Sequence, residues 1–344
     1  IGGGQTEGVG TTISMNAAGD RILIGLPFRN SSAGGWKIYD YDVNSTGSWD
    51  QLWDSSGASG QGMGFSVDLN DAGNRLIIGS GAYAPRVYEY AASDSMWNLI
   101  YELTDSSIPS ADSVSISGDG AVAAVGFSNY GHTYPLGFVA KCGIVMVFSL
   151  PPVGGLGMGF GAPSNAYTLR QSFIGLDLGS GYGEEIGRSV ALNNDGTILS
   201  YGGAHYKNIN SSYYPDTGSI RLFLWKTTPT YGQNFSSEYK PELVKVSGSG
   251  SEYYEHIIGD PGDMIASANN EPSAPTSLLS ANTLSMSSDG LTIAGGIPLK
   301  NPAQTGPSVG YGGGARVFKG LYNLSSAGVR LGSYSINVYP ASSG

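Results

Sequence analysis

A short phrase recurs five times along the chain and limits the folds it can adopt more than any other feature. Each copy joins a small apolar strand to a second apolar strand through a tight turn that contains glycine. The copies are ISMNAAGDRILIG at 13–25, VDLNDAGNRLIIG at 67–79, SVSISGDGAVAAVG at 113–126, VALNNDGTILSYGG at 190–203 and LSMSSDGLTIAGG at 284–296. Glycine accepts the positive φ that such a turn requires. The phrase therefore predicts a β-hairpin at five places.

Two further strands follow each hairpin, the first rich in Val, Tyr and Phe and the second in aromatic residues. GGWKIYDYD at 34–42 and SWDQLWD at 48–54 follow the first copy, and PRVYEYA at 85–91 and MWNLIYEL at 96–103 follow the second. A single four-stranded sheet cannot bury both of its faces, but sheets stacked around an axis can. We therefore predict an all-β fold, a β-propeller of four-stranded antiparallel blades.

The predicted propeller is one domain over residues 1–344 with five clear repeats. The blades are expected at 11–54, 62–103, 111–175, 184–248 and 279–340, with insertions at 151–166 and 247–277. Six or seven blades stay open, because the second insertion is long enough to hold a blade with a faded hairpin. A linear array of sheets or a β-sandwich pair would also accommodate the repeated strands.

Charge and composition exclude several classes of partner. The net charge is −10, and the 17 Lys and Arg residues are scattered along the chain. Phosphate binding needs concentrated positive charge, so nucleic acid and anionic membrane surfaces are not expected as partners. No apolar stretch reaches the length of about 18 residues that a membrane span requires.

The repeat resembles the FG-GAP-type propeller repeat of integrin α-chain heads. GMGFSVDLNDAGNRLIIGS with RVYEY and MWNLIYEL carries the resemblance best, and EIGRSVALNNDGTILSYGGA with GSIRLFLW comes next. The chain is closer still to the variant found in large secreted and surface proteins of algae, diatoms and bacteria. The resemblance implies blades and an extracellular setting, but no single activity.

The turns depart from the calcium loops of that family. Those loops run Asp-x-Asp/Asn-x-Asp/Asn-Gly, whereas the turns here read NAAGD, NDAGN, SGDGA, NNDGT and SSDGL. They are short and poor in carboxylates, so we expect no calcium there. GDPGD, with Asp260 and Asp263, is a slightly better place for calcium, but a surface turn is the interpretation that we favour there. We expect no other metal and no cofactor.

The sequence contains no recognisable catalytic motif. It has no HExxH, GxSxG or P-loop, and its three histidines, His132, His205 and His256, are expected in loops. Glu184 and Glu185 are adjacent, so we interpret them as a solvated strand edge and not as a catalytic pair. Cys142 is the one cysteine, and its apolar surroundings predict a buried small hydrophobe. The arginines on or beside strands show no shared context; they are Arg21, Arg75, Arg86, Arg188, Arg221 and Arg316. We therefore predict that the chain is not an enzyme.

Predicted loops carry two kinds of candidate surface residue. Sequons for N-glycosylation occur at Asn30, Asn44, Asn210, Asn234 and Asn323. Tyrosines that suit a contact surface or sugar stacking occur at Tyr130, Tyr134, Tyr206, Tyr213, Tyr214, Tyr253 and Tyr254.

These observations favour a non-catalytic extracellular glycoprotein. We expect a structural or adhesive subunit of a cell-surface assembly, such as a filament, a mastigoneme-like appendage or a matrix layer. Its partners would be further copies of itself or other surface proteins. A monomeric module that binds carbohydrate or mediates adhesion is the second hypothesis, and a propeller hydrolase is the third.

Overall fold

The computed structural model of the chain describes residues 7–42, 47–103, 111–135, 137–150, 166–177, 183–204, 206–207, 213–214, 218–229, 235–241, 256–258, 283–297, 314–319 and 334–338. Regular structure in these ranges is almost all strand, and the helix found among them, α1 (Arg29–Ser32), has one turn. The strands form five antiparallel sheets of four or more strands, each a blade. The predicted all-β propeller fold is therefore confirmed.

In each blade the strands follow one another across the sheet. The first blade holds β1 (Ile13–Met15), β2 (Arg21–Gly25), β3 (Gly35–Asp42) and β4 (Ser48–Ser56). The second holds β5 (Met63–Leu69), β6 (Arg75–Ser80), β7 (Arg86–Ala91) and β8 (Met96–Glu102).

The third and fourth blades each carry a small hairpin between their second and third strands. The third blade holds β9 (Ser113–Ile116), β10 (Val122–Phe127), β13 (Ile144–Ser149) and β14 (Thr168–Ile174), and its hairpin is β11 (His132–Tyr134) with β12 (Gly137–Val139). The fourth holds β15 (Ser189–Leu192), β16 (Ile198–Gly203), β19 (Ser219–Pro229) and β20 (Phe235–Pro241), and its hairpin is β17 (Tyr206–Lys207) with β18 (Tyr213–Tyr214). β21 (His256–Ile258) also pairs with β19. The fifth blade holds β22 (Leu284–Met286), β23 (Thr292–Ile297), β24 (Gly314–Lys319) and β25 (Tyr334–Val338).

The chain forms two compact units. The first consists of Ile1–Phe127, Met146–Phe173 and Asn194–Gly196, and it contains the first two blades and most of the third. The second consists of Ser128–Val145, Ile174–Asn193 and Thr197–Gly344, and it contains the fourth and fifth blades. The single domain and the blade limits drawn from the sequence stay predictions.

The glycine turns of the five hairpins adopt the geometry that the sequence predicts. Their glycines have φ between 65° and 73°, namely Gly19, Gly73, Gly120, Gly196 and Gly290. In the first turn the side-chain carbonyl of Asn16 accepts hydrogen bonds from the backbone N–H groups of Asp20 (3.1 Å) and Arg21 (2.9 Å). An asparagine at this position therefore closes the turn in place of a backbone carbonyl.

Neighbouring blades within a unit pack face to face. We call the side of a blade that contacts the next blade its forward face, and the side that contacts the preceding blade its rear face. At the junction of the first two blades, Leu23 and Ile38 of the forward face join one buried cluster with Val67, Leu69 and Ile78 of the rear face. The junction of the fourth and fifth blades repeats this arrangement, with Ile198, Ile220, Leu222 and Leu224 against Leu284 and Ile293.

In the first four blades, the residue two places after the turn glycine contacts the turn of the following blade. Arg21 donates a hydrogen bond to the carbonyl of Gly73 (Nη1–O 2.7 Å), and Arg75 donates one to the carbonyl of Gly120 (3.0 Å). Val122 takes the same position in the third blade, where a Cβ on Gly196 would lie 2.5 Å from its Cγ2. The expectation that the arginines share no context is therefore wrong for Arg21 and Arg75, which make equivalent contacts one repeat apart.

Asp68, on β5, connects three blades. Its carboxylate accepts hydrogen bonds from the Ser14 hydroxyl of the first blade (2.8 Å), and from the Ser115 hydroxyl (3.0 Å) and the Ile116 N–H (2.9 Å) of the third. It also accepts one from the N–H of Leu69 (2.9 Å). The burial of the carboxylate among these blades raises the pKa of Asp68 above 3.8, although the hydrogen bonds oppose the shift.

Candidate functional site

Two apolar side chains on the rear face of the first blade, Ile13 and Met15, are exposed. Ile13 and Met15 of β1 pair with Ile24 and Ile22 of β2 in the same register that pairs Val67 and Leu69 with Ile78 and Leu76 in the second blade. Ile13 is 59% exposed and Met15 is 50% exposed, whereas Val67 and Leu69 are 8% and 5% exposed. The same apolar positions are therefore open in the first blade and closed in the second.

The remaining blades follow the second blade and not the first. The corresponding inner-strand side chains are buried in the third and fourth blades, whereas in the fifth blade Leu284 is buried and Met286 is half-buried; those of the third and fourth blades are Val114, Ile116, Val190 and Leu192. The inner strands of the third and fifth blades contact the inner strand of the preceding blade. The exposed pair of apolar side chains, Ile13 and Met15, is therefore a candidate contact surface.

An aromatic pair extends this surface. Tyr41 of β3 and Trp49 of β4 contact each other with ring centroids 5.3 Å apart, as Tyr90 and Trp97 do at 5.5 Å in the second blade. Trp97 is buried, whereas Tyr41 is 39% exposed. We use the name first rear face for the surface formed by Ile13, Met15, Ile22, Tyr41 and Trp49.

The turn beside this face is open as well. A Cβ on Gly19 would meet only the Met15 sulfur, at 3.8 Å, whereas one on Gly73 would meet the Arg21 side chain at 3.1 Å. A polar cleft of about 350 Å³ adjoins the turn, and it is lined by Asn16, Ala18, Asp20, Arg21, Asp40, Tyr41, Asp71 and Ala72. The Arg21 guanidinium in this cleft is held by Asp40, with 2.6 Å between Nη2 and Oδ2.

Two of the predicted contact tyrosines lie at the β11–β12 hairpin, where one of them anchors the hairpin. The Tyr134 hydroxyl donates a hydrogen bond to the carbonyl of Gly175, and its ring stacks edge-on against His132 at 4.7 Å. Burial raises the pKa of Tyr134. Tyr130 is half-buried beside His132, and Phe138 of the facing strand is 68% exposed.

Three of the other five predicted tyrosines lie on the β17–β18 hairpin. Tyr206 pairs with Tyr214, and Lys207 with Tyr213, in the backbone register of β17 and β18. Tyr253 and Tyr254 lie outside the described residues. The contact role of all seven tyrosines stays a prediction.

One of the five sequon asparagines, Asn30, lies within the described residues. Asn30 is exposed in α1, where it and Ser31 have positive φ values of 50° and 57°. Its side chain is accessible to modification in this geometry. Asn44, Asn210, Asn234 and Asn323 lie outside the described residues, and glycosylation at all five sites stays a prediction.

The interpretation of Glu184 and Glu185 as a solvated edge is wrong. Both side chains are buried, in a loop segment that precedes β15. Glu184 pairs with Arg221 of β19 and accepts a hydrogen bond from the N–H of Leu176 (3.1 Å). Glu185 accepts one from the buried Arg188 (Nε–Oε2 3.0 Å). The prediction assumed that both residues lie on a strand, where adjacent side chains point to opposite faces. Because they lie in a loop instead, both carboxylates can face the interior.

Tyr201 lies beside this ion pair. Burial, chiefly, raises the pKa of Tyr201 to about 12, with Arg221 opposing the shift and Glu184 adding to it. A neutral phenol therefore packs against the Glu184–Arg221 pair across the physiological pH range. Each charge in the cluster has an opposite partner, which is the arrangement of a structural ion pair.

Cys142 is buried, as predicted, and its thiol donates to the carbonyl of Val139 (3.3 Å). His132 is half-buried, His256 lies on β21, and His205 and the GDPGD stretch lie outside the described residues.

Within the described ranges, no group of three or more His, Cys, Asp or Glu side chains is placed to hold a metal ion. No helix in the same ranges is long and apolar enough to cross a membrane.

No protein-family model matches the chain, and no curated protein matches it. Among solved structures it is similar to the hydrazine synthase of Kuenenia stuttgartiensis, with 12% identity and a TM-score of 0.43 over 96% of this chain and 67% of that one. It is also similar to the tricorn protease, with 10% identity and a TM-score of 0.43 over 89% of this chain and 25% of that one.

The first rear face and the role of Asp68 were not predicted from the sequence. A sequence feature that points to each of them is present in the aligned repeat. Ile13 and Met15 occupy the positions of Val67 and Leu69 in the aligned repeat. Asp68 is the one charged residue among the residues that alternate with these apolar positions in the five inner strands, a pattern that marks a carboxylate inside the stacked sheets.

Proposed function

We propose that the chain is a non-catalytic extracellular glycoprotein of the FG-GAP type that serves as a structural or adhesive subunit of a cell-surface assembly. The assembly would be a filament, an appendage or a matrix built through propeller–propeller contacts. One observation carries the proposal: the first rear face exposes Ile13 and Met15, whereas the apolar side chains at these positions in the second and third blades are buried. An uncovered blade face of this kind favours association with another protein.

Charged side chains connect the blades or strands inside each of the two compact units. Buried and half-buried charges connect one part of the fold to another: Arg21 and Arg75 reach the next turn, Asp68 connects three blades, and Glu184 pairs with Arg221. Rigid subunits lose little conformational entropy when they associate, so more of the contact energy contributes to assembly.

The proposal is tested on native material purified from its source. We expect electron microscopy to show ordered polymers or sheets of the chain, and intact mass to exceed the 35.6 kDa polypeptide by the mass of attached glycans. Deglycosylation with a peptide amidase should convert Asn30 to Asp within its tryptic peptide. Single unglycosylated particles in the native material would contradict the proposed function.

A second candidate function is carbohydrate binding by a monomer. The β11–β12 hairpin favours it, because Phe138 is largely exposed near Tyr130 and sugars stack on exposed aromatic rings. A glycan array should then show binding that Phe138→Ala abolishes and that Leu169→Ala, an exposed site on β14, leaves unchanged.

A further inference from the structure

We propose that the β11–β12 and β17–β18 hairpins together form one binding surface for a linear, uncharged oligosaccharide. The inference rests on the carbohydrate-binding candidate function; it adds the second hairpin to the site and names the class of glycan. Both hairpins belong to the second compact unit, which contains Ser128–Val145 and Thr197–Gly344. The surface therefore lies within one unit of the chain.

The two hairpins occupy the same place in consecutive repeats. Each lies between the second and third strands of its blade, β11–β12 between β10 and β13, and β17–β18 between β16 and β19. The same antiparallel strand order makes both hairpins leave their blades at the corresponding edge. In the first two blades the matching links are fully described, and they hold α1 and a short loop at 81–85. The hairpins are thus an addition to the third and fourth blades.

One segment, residues 183–187, joins the bases of the two hairpins. The N–H of Ile186 donates a hydrogen bond to the carbonyl of Cys142 (3.1 Å), shortly after β12. The N–H of the next residue, Gly187, donates to the carbonyl of Gly202 (2.9 Å), near the end of β16. Two consecutive backbone groups therefore fix the exit of the first hairpin beside the entry to the second.

Buried charge holds the first hairpin onto this segment. The N–H of Leu176 donates to the Glu184 carboxylate (3.1 Å), and the N–H of Glu184 donates back to the Leu176 carbonyl (3.2 Å). The Tyr134 hydroxyl of β11 donates to the carbonyl of the preceding residue, Gly175. Arg221 of β19 pairs with the same Glu184. The cluster therefore connects β11 to the strand that follows the second hairpin.

The second blade shows that a blade junction of this kind forms without such charges. Its segment QGMGFSV at 61–67 aligns with EEIGRSV at 184–190, and it contains no charged residue where the fourth blade has three. Both segments form an isolated parallel bridge with the preceding blade. The three charges therefore accompany the hairpins and are not required by the junction itself.

Phe138 supplies the aromatic surface of the first hairpin. It pairs with the exposed Thr133 in the hairpin register and is itself 68% exposed. A Cβ on Gly131 would lie 2.4 Å from the ring carbon Cζ, so the ring lies against the backbone there. Because side chains alternate along a strand, His132 and Tyr134 lie on the opposite face of β11. A ring that is held in place and largely exposed is a surface on which a sugar can stack.

The second hairpin adds further aromatic positions. Tyr206 pairs with Tyr214, and Lys207 pairs with Tyr213, so three of the four paired residues are tyrosines. Two aromatic hairpins with joined bases provide at least two sugar subsites. Linked subsites raise the affinity for a ligand that is long enough to reach both. The arrangement therefore favours a chain of sugars over a single sugar.

The exposed surface suits a glycan better than a protein partner. The exposed residues around Phe138 in the first hairpin are small or polar: Thr133, Pro135, Gly137 and Ala140. No wide apolar patch surrounds the ring in this described part of the hairpin, whereas a stable protein contact buries about 800 Å² on each partner.

Charge in the first hairpin favours an uncharged sugar. Lys141 is the one Lys, Arg, Asp or Glu residue in 128–145, and its ammonium lies 3.9 Å from the buried Glu185 carboxylate. The lysine is thus paired with a carboxylate of the joining segment. A glycan without charge leaves this pair undisturbed, whereas an acidic glycan would compete for the ammonium.

The test measures binding of the purified 344-residue chain to linear gluco-, manno- and galacto-oligosaccharides of one to six units by isothermal titration calorimetry. In the series that binds, we expect Kd to fall at least about tenfold from the shortest bound ligand to the longest. Phe138→Ala should weaken binding at every length by about tenfold or more, whereas Phe138→Trp keeps a ring and should retain binding. Leu169→Ala, at an exposed site on β14, is the matched control and should change nothing.

Ligand length separates the contribution of the second hairpin. Tyr206→Ala and Tyr213→Ala should weaken binding of the longest ligand at least about fivefold and leave the shortest bound ligand unaffected. Tyr83→Ala removes a tyrosine that is 47% exposed in the second blade, so it is the matched control and should bind every ligand as the wild-type chain does. Circular dichroism and the unfolding midpoint of each variant verify that the fold is retained.

The possible failures are distinguishable. An affinity that does not change with length, together with wild-type binding by both tyrosine variants, would leave carbohydrate binding standing but exclude the second hairpin. Binding only to charged or branched glycans on an array would contradict the class of ligand. A chain that binds no glycan on the array or in calorimetry would overturn the candidate function together with this inference.

Discussion

The guanidinium of Arg21 donates a hydrogen bond to the carbonyl oxygen of Gly73, 52 residues ahead, with 2.7 Å between nitrogen and oxygen. The same guanidinium is held in its own blade by Asp40. A single side chain therefore fixes the turn of the second blade against the sheet of the first. Arg75, Gly120 and Glu89 repeat the arrangement one blade later.

Replacement of Arg21 by Met should lower the free energy of unfolding by roughly 1–2 kcal/mol. The variant keeps the apolar stem but loses the contact with Gly73 and leaves the partly exposed Asp40 unpaired. Urea unfolding measures the change. Arg86→Met is the matched control, because Arg86 pairs with Glu102 inside one blade; it should cost less, and an equal cost would contradict a special role for the inter-blade contact.

Alanine substitutions at the turn glycines should differ in cost between blades. Gly19→Ala introduces a positive-φ alanine into open space, at about 1–2 kcal/mol. Gly196→Ala adds to that strain a methyl group 2.5 Å from the Val122 side chain, so it should cost clearly more. Thermal unfolding of the two variants provides the comparison. Equal midpoints would show that the turns are not packed against the preceding blade in the way described.

The raised pKa of Asp68 predicts a specific pH dependence of stability. The folded carboxyl binds its proton above 3.8, where the unfolded one releases it, so the free energy of unfolding falls as pH rises from 3.8 through the folded pKa. Asp68→Asn removes this titration. The stability difference between wild type and variant should therefore be largest at low pH and shrink as pH rises. A difference that grows with pH would show that the hydrogen bonds outweigh burial.

Loss of one partner in the buried Glu184–Arg221 pair should be severe. Glu184→Ala leaves the guanidinium without its carboxylate and should cost about 3–5 kcal/mol. The double variant Glu184→Met with Arg221→Met removes both charges and should recover much of that loss. Denaturant unfolding of the wild-type chain and of both variants measures the change in the free energy of unfolding. A double variant as unstable as Glu184→Ala would mean that the pair contributes more than the removal of an unpaired charge.

The hairpins could be predicted because their signals are local. Alternating apolar residues and a glycine that accepts positive φ determine a strand, a turn and a strand within about thirteen residues. The third and fourth strands followed from their aromatic and β-branched residues in the same way. The all-β fold and the antiparallel order of the strands therefore came from the sequence alone.

The candidate site required the tertiary structure. Ile13 and Val67 have the same apolar character and the same place in the repeat, yet one is exposed and the other is buried. The sequence predicted a solvated strand edge at Glu184 and Glu185. In the structure Glu184 pairs with Arg221 and Glu185 pairs with Arg188. Sequence pattern determined which residues face which side of each blade. The fold decided which of those sides has a neighbour, because burial depends on contacts between residues about fifty positions apart.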